Sequence, residues 1–104
     1  MPVTLYLLCG MSFAGKSTLA AAIAEHAHAT IVSLDDINEA RGLAGGLGIP
    51  DHEWARSHRV ALQRAAEELA RGHSVVIDDT NCFRFLRDDY RALAGRLGVR
   101  AVVL

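Results

Sequence analysis

The chain has 104 residues, 51% of them hydrophobic, 22% charged and 6% aromatic. This composition excludes a disordered, fibrous or collagen-like protein. Eleven Lys and Arg against twelve Asp and Glu leave a formal charge of −1, which excludes a generic basic surface for nucleic acid but not a local arginine cluster. The length allows one domain around one core. No apolar run approaches the ~20 residues of a membrane span, and Val3–Cys9 is not preceded by the basic segment of a signal peptide. Cys9 and Cys82 suggest no disulfide framework and read as two reduced residues. A cytoplasmic location is expected by default.

In chain order, Val3–Cys9 is nearly continuous and apolar, as in a strand covered on both faces. Lys16 to about His28 reads as a helix, with Leu19, Ala20, Ile23, Ala24 and Ala27 at helical spacing. Thr30–Leu34 is a second strand, and Asp35–Leu43 a short helix leading into a glycine-rich loop up to Pro50. A long helix is expected from Asp51, read as its N-cap, with Trp54, His58, Ala61, Leu62, Ala65 and Leu69 as its stripe and Gly72 at its end. Ser74–Ile77 is a third buried strand. A last helix spans about Phe83 to Leu97, with Leu86, Tyr90, Leu93 and Leu97 on one face, and Val99–Leu104 is a final strand. Strands alternating with helices imply right-handed crossovers on a parallel sheet, an α/β fold.

Between the first strand and helix lies Gly10-Met11-Ser12-Phe13-Ala14-Gly15-Lys16-Ser17, a full match to G-x-x-x-x-G-K-[ST], followed by Thr18. Glycines let a polyphosphate approach the backbone, and successive N–H groups and the helix N-terminus point at the anion. Lys16, the chain's single lysine, would place a compact charge between β- and γ-phosphate oxygens. Ser17 would offer a hydroxyl to Mg²⁺, which prefers hard oxygen ligands. These residues predict ATP and Mg²⁺ as ligands, with Gly10 to Thr18 forming the nucleotide cradle.

Two acidic sites at strand ends narrow the chemistry. Asp78 follows Val75-Val76-Ile77, where a carboxylate would hold a water of the Mg²⁺ shell and orient Ser17. Asp79 is the lesser candidate, because successive strand residues point to opposite faces. In Ser33-Leu34-Asp35-Asp36, Asp35 would accept the proton of an attacking hydroxyl. The competing reading makes Asp35 or Asp36 a helix cap.

These motifs in this order resemble the P-loop kinases related to phage-type polynucleotide kinase, zeta toxin and chloramphenicol phosphotransferase, whose ATP-binding domain is of the AAA_33 type. The resemblance spans Val3 to Leu104. It implies a three-layer fold with a parallel sheet of about four strands in order 2-3-1-4 and helices on both faces. It also implies an ATP-dependent transferase acting on a hydroxyl acceptor, either a polynucleotide 5′-end or a small molecule. Lys16 and Asp35 would then be catalytic, and Ser17 and Asp78 metal-holding. Thr80 and Asn81 would follow Asp78 into the cleft. Leu34 stands where the group often has Arg, and the chain stops at Leu104, before the group's lid, fifth strand and adenine pocket. Residues 1–104 therefore read as a kinase domain that is C-terminally incomplete or borrows its lid.

Asp36, Arg41, Thr80, Asn81 and Arg84 are the candidate acceptor contacts, with Arg87 nearby. The arginines would equally serve as a solvated helix face. Trp54 and His58 would line the acceptor pocket or belong to the apolar stripe. A regulatory ATPase module without an acceptor, or an inactive core, is the alternative reading. The apolar final strand offers an edge for dimerisation.

Overall fold

The computed structural model describes residues 2–9, 14–43, 48–79 and 84–104, and for residues 9 and 14–17 only the backbone. Its elements are β1 (Thr4–Cys9), α1 (Ala14–Ala27), β2 (Thr30–Ser33), α2 (Leu34–Ala40), α3 (Asp51–Ala70), β3 (Val75–Asp79), α4 (Arg84–Leu97) and β4 (Arg100–Val103). The strands form a parallel sheet in the order β2-β3-β1-β4, the α/β topology expected from the sequence.

The order determines which face each helix covers. The step from β1 to β2 crosses β3 toward one edge, whereas the steps from β2 to β3 and from β3 to β4 run the other way. Right-handed crossovers then put α1 on one face and α3 and α4 on the opposite face. Alternate strand residues follow suit. Leu5, Leu7, Val75 and Ile77 pack with Ala61, Ala65 and Leu69 of α3 and with Tyr90, Leu93 and Ala94 of α4. Leu8 and Val76 pack with Ala20 of α1.

Several boundaries differ from the sequence expectation. The third strand continues past Ile77, because Asp78 and Asp79 pair with Leu8 and Cys9 of β1. β2 ends at Ser33, and Leu34 opens α2 at once instead of ending the strand. Ser33 is extended, and its hydroxyl accepts a 3.3 Å hydrogen bond from the Asp36 backbone N–H. Ser33 is thus the cap, and the reading of Asp35 or Asp36 as a cap is corrected. Their carboxylates fall in the first turn, where they complement the helix dipole. Asp51 likewise is the first residue of α3 and not its cap, a position Pro50 holds without a side-chain bond. Gly72, at φ +85° after that helix, adopts the left-handed backbone that favours glycine.

The helical stripes are also partly redrawn. Leu19 and Leu97 are 46% and 39% exposed, while Ala94 joins Tyr90 and Leu93 in the core. Ser57, which a hydropathy stripe passes over, is fully buried in α3. Its hydroxyl donates to Asn38 Oδ1 of α2 and accepts from Arg41 Nη1 at 2.8 Å. Arg41 also donates to the Glu53 carbonyl at 2.9 Å and to Glu53 Oε2 at 2.8 Å. This clasp ties the end of α2 to α3 across the glycine-rich connection. Among the described residues no helix is long and apolar enough to cross a membrane.

Replacing Arg41 by Ala removes the bonds to Glu53 and Ser57 and leaves half-buried Glu53 to the more exposed Arg56, whose Nη1 lies 3.4 Å from Oε1. The expected cost is about 1–3 kcal/mol, read as a lower urea midpoint at unchanged slope. A second polar tie is surface-borne. Glu68 of α3 accepts from His73 Nδ1 at 2.8 Å, from Thr30 Oγ1 at 3.3 Å and from Arg71 Nη1 at 3.3 Å. The His73 hydrogen bond, aided by Thr30 and Arg71, holds this carboxyl below its ordinary pKa. A carboxyl that titrates lower in the folded than in the unfolded chain stabilises at neutral pH, and the benefit is lost as pH falls through the folded value. Thermal melts should show wild type above Glu68→Gln near neutral pH, with the gap closing on acidification through the carboxyl range.

Candidate functional site

The carboxyl ends of the strands define one edge of the sheet. At this edge β1 stops at Cys9, and the chain re-enters regular structure at Ala14, so that Gly15, Lys16 and Ser17 lie in the first turn of α1. The free N–H groups of that turn belong to the carboxyl edge of the sheet, beside the β1–β3 boundary where the crossover direction reverses. Ligands of open α/β sheets bind at such switch points. Gly10, Met11, Ser12 and Phe13 of the expected cradle lie outside the described residues, as do Thr80 and Asn81. Thr18 is exposed on α1.

The carboxylates divide by strand parity. Asp78 shares the orientation of Val76, on the α1 side, and is half-buried. Asp79 shares that of Val75 and Ile77, on the α3 and α4 side, and is 3% exposed. Asp35 and Asp36 are exposed in the first turn of α2. Arg84 is exposed at the start of α4. Arg41 faces Glu53 and Ser57 in the α2–α3 clasp.

Beside Asp79 opens a cavity of about 610 Å³. Leu34 and Asp79 bring it to the carboxyl edge, Trp54 and His58 supply the α3 wall, and Phe85 and Asp89 the α4 wall. The two α3 residues are those whose pocket role the sequence left open. His58 is 8% exposed, with Nε2 3.0 Å from Asp89 Oδ2. Its ring meets Tyr90 edge-on, with centroids 5.2 Å apart and planes at 88°, an arrangement that places the ring edge against the negative π face.

Tyr90 is wholly buried beneath this pair, and among the described residues neither its hydroxyl nor His58 Nδ1 has a hydrogen-bond partner. Burial raises the Tyr90 pKa, and the charges of Asp79 and Asp89 raise it further, so the phenol stays neutral. Asp89 and Tyr90 were not among the expected site residues. Tyr90 reads as core because of its helical spacing, and Asp89 gains significance only from His58, which is 31 positions away in the chain.

An unbonded buried hydroxyl opposes folding, so Tyr90→Phe should leave the melting temperature unchanged or raise it, by up to about 1–3 kcal/mol of stability. A clear loss of stability on this change would show that the hydroxyl is bonded.

An AAA domain family model matches residues 5–104. No significant match is found among curated proteins. Among solved structures, a candidate kinase from Chloroflexus aurantiacus is similar at 22% identity and TM-score 0.74, over 99% of this chain and 57% of that one. The Mycobacterium tuberculosis APS kinase CysC, solved with AMPPNP and APS, is similar at 18% identity and TM-score 0.77, over 98% of this chain and 61% of that one. A chain of the Pnkp1/Rnl/Hen1 complex matches at 19% identity and TM-score 0.80, over 99% of this chain and 35% of that one. This chain shares its fold with these three chains and spans little more than half of the first of them.

Proposed function

The chain belongs to the AAA domain family, and from this we propose that it transfers the γ-phosphate of ATP to a hydroxyl of an acceptor seated in the cavity between α3 and α4. The carrying observation is the position of that cavity. It opens at the ends of β2 and β3, at the same sheet edge from which α1 and its Gly15-Lys16-Ser17 turn begin. An acceptor there and a phosphate tail at the α1 N-terminus would meet across a single strand boundary. The kinases that share the fold, one of them solved with AMPPNP and APS, support this reading.

In this reading the cradle from Gly10 to Thr18 wraps the triphosphate, and Lys16 neutralises charge on the oxygens between the β- and γ-positions. Asp35, in the first turn of α2, takes the proton from the attacking hydroxyl. Phosphoryl transfer passes through a loose transition state, so positioning and charge stabilisation matter more than a strong base. Ser17 and Asp78 are the residues that would hold Mg²⁺. Both carry hard oxygen donors, and the half-buried carboxylate of Asp78 lies on the α1 side of β3, the side Ser17's helix occupies. When bound, Mg²⁺ supplies positive charge that screens the phosphates from an incoming oxygen.

Asp35→Asn should retain ATP affinity in calorimetry while acceptor phosphorylation falls by about 10²–10⁴-fold. Unchanged transfer would remove Asp35 from the base role. Lys16→Ala should weaken nucleotide binding, transfer, or both. Release of free phosphate at the same rate with and without any hydroxyl acceptor would replace transfer with hydrolysis as the activity.

A further inference from the structure

We infer that Arg41 is a positioning residue, whose guanidinium fixes the α3 wall of the cavity against α2, the helix that carries Asp35. The inference rests on the reading of that cavity as the acceptor pocket and of Asp35 as the base. Helix α3 is held in two different ways along its length. From Val60 onward it packs on the sheet, chiefly through Ala61, Ala65 and Leu69. Its first two turns carry the cavity residues Asp51, Trp54, Ala55 and His58. Among the described residues, none of 51–58 joins a hydrophobic core cluster. Polar contacts hold these turns instead. On the α4 side His58 Nε2 lies 3.0 Å from Asp89 Oδ2, and on the α2 side stands Arg41.

The Arg41 side chain spans one turn of α3. Nη1 donates to the Glu53 carbonyl at 2.9 Å and to Ser57 Oγ at 2.8 Å, while Nη2 donates to Glu53 Oε2 at 2.8 Å. Ser57 returns the tie to α2 through Asn38 Oδ1. Each α3 anchor directly precedes a cavity residue, Glu53 before Trp54 and Ser57 before His58. On α2, Asn38 lies one turn beyond Leu34, the cavity residue that precedes Asp35. Clasp and cavity are therefore neighbouring levels of one α2–α3 seam. Phosphoryl transfer depends on alignment of hydroxyl, base and phosphate, and a misplacement of about 1 Å can cost about 10²-fold in rate. A planar fork holds such a spacing closely. A single ammonium cannot reach all three oxygens at once.

Arg41→Lys keeps the charge and removes the fork. With saturating ATP and a mixture of ribose, adenosine, ethylene glycol and benzyl alcohol, it should lower the rate of acceptor phosphorylation by about 10–100-fold. Its calorimetric affinity for a non-hydrolysable ATP analogue should stay at the wild-type value. Glu68→Gln, in the polar cluster around His73 and Thr30, should melt below wild type yet transfer at the wild-type rate, which separates positioning from stability. Wild-type transfer by Arg41→Lys, or a loss matched by lost analogue affinity or by Glu68→Gln, overturns the inference. A second readout needs no acceptor. Trp54 is the chain's single tryptophan. Energy transfer from it to a dansyl group attached through Asp36→Cys, with Cys9→Ser and Cys82→Ser, reports the α2–α3 spacing. Arg41→Lys should shift or broaden that spacing, and an unchanged distribution overturns the inference. A responsive spacing in a protein that phosphorylates none of the four alcohols would sustain Arg41 as the strut of the cavity wall and count against phosphotransfer.

Discussion

Strand order β2-β3-β1-β4, combined with the fixed hand of parallel crossovers, governs the rest of this molecule. Because the chain leaves β1 in one direction and later returns past it in the other, its helices cannot all lie on one face. α1 is alone on one side, and α3 and α4 share the other. The reversal separates the first turns of α1 and α4 at the boundary between β1 and β3, leaving a crevice that no crossover closes. The Gly15-Lys16-Ser17 turn comes to this edge from the α1 side and the cavity-forming residues from the α3 and α4 side. The adjacent carboxylates Asp78 and Asp79 serve different faces because a strand alternates its side chains.

The cavity side is built with more buried polarity than its hydrophobic surroundings require. His58, Tyr90 and Asp79 are nearly inaccessible, and the Tyr90 phenol is held neutral by burial and by the two carboxylates near it. The Tyr90 hydroxyl and His58 Nδ1, which have no partner among the described residues, cost stability there. Their presence beneath a cavity fits a wall shaped for recognition better than one optimised for packing. The partly buried clasp at Arg41, with its own partners Asn38, Glu53 and Ser57, is a separate polar system from this one. One holds α2 to α3, and the other joins α3 to α4.

Much of this could be read from the residues alone. The periodic switch from apolar runs to amphipathic stretches revealed the alternation of strands and helices, and the Gly10–Ser17 pattern marked the boundary between β1 and α1. The readings that failed were local contests between near-equal competitors. Ser33 outcompeted Asp35 and Asp36 as a cap because the chain turns into α2 one residue earlier than the apolar run suggests. Ser57 and Asn38 escaped notice because their burial depends on each other and on Arg41, partners that meet only after folding. The cavity was visible only in fragments. Trp54 and His58 stood out on α3, whereas Asp89 and Phe85 acquired meaning from a helix more than 25 positions away.

The direct passage from β2 into α2 constrains how this chain can vary. With no linker between Ser33 and Leu34, the sheet clamps the rotational phase of α2. Deleting or inserting a single residue at that joint would turn every α2 side chain by about 100° around the helix axis. Leu34 and Ile37 would swing out of the hydrophobic layer, and Asp35 would point elsewhere. Length changes should therefore accumulate in the glycine-rich stretch before Pro50, and the β2–α2 joint should tolerate exchanges of residue type but not of residue number.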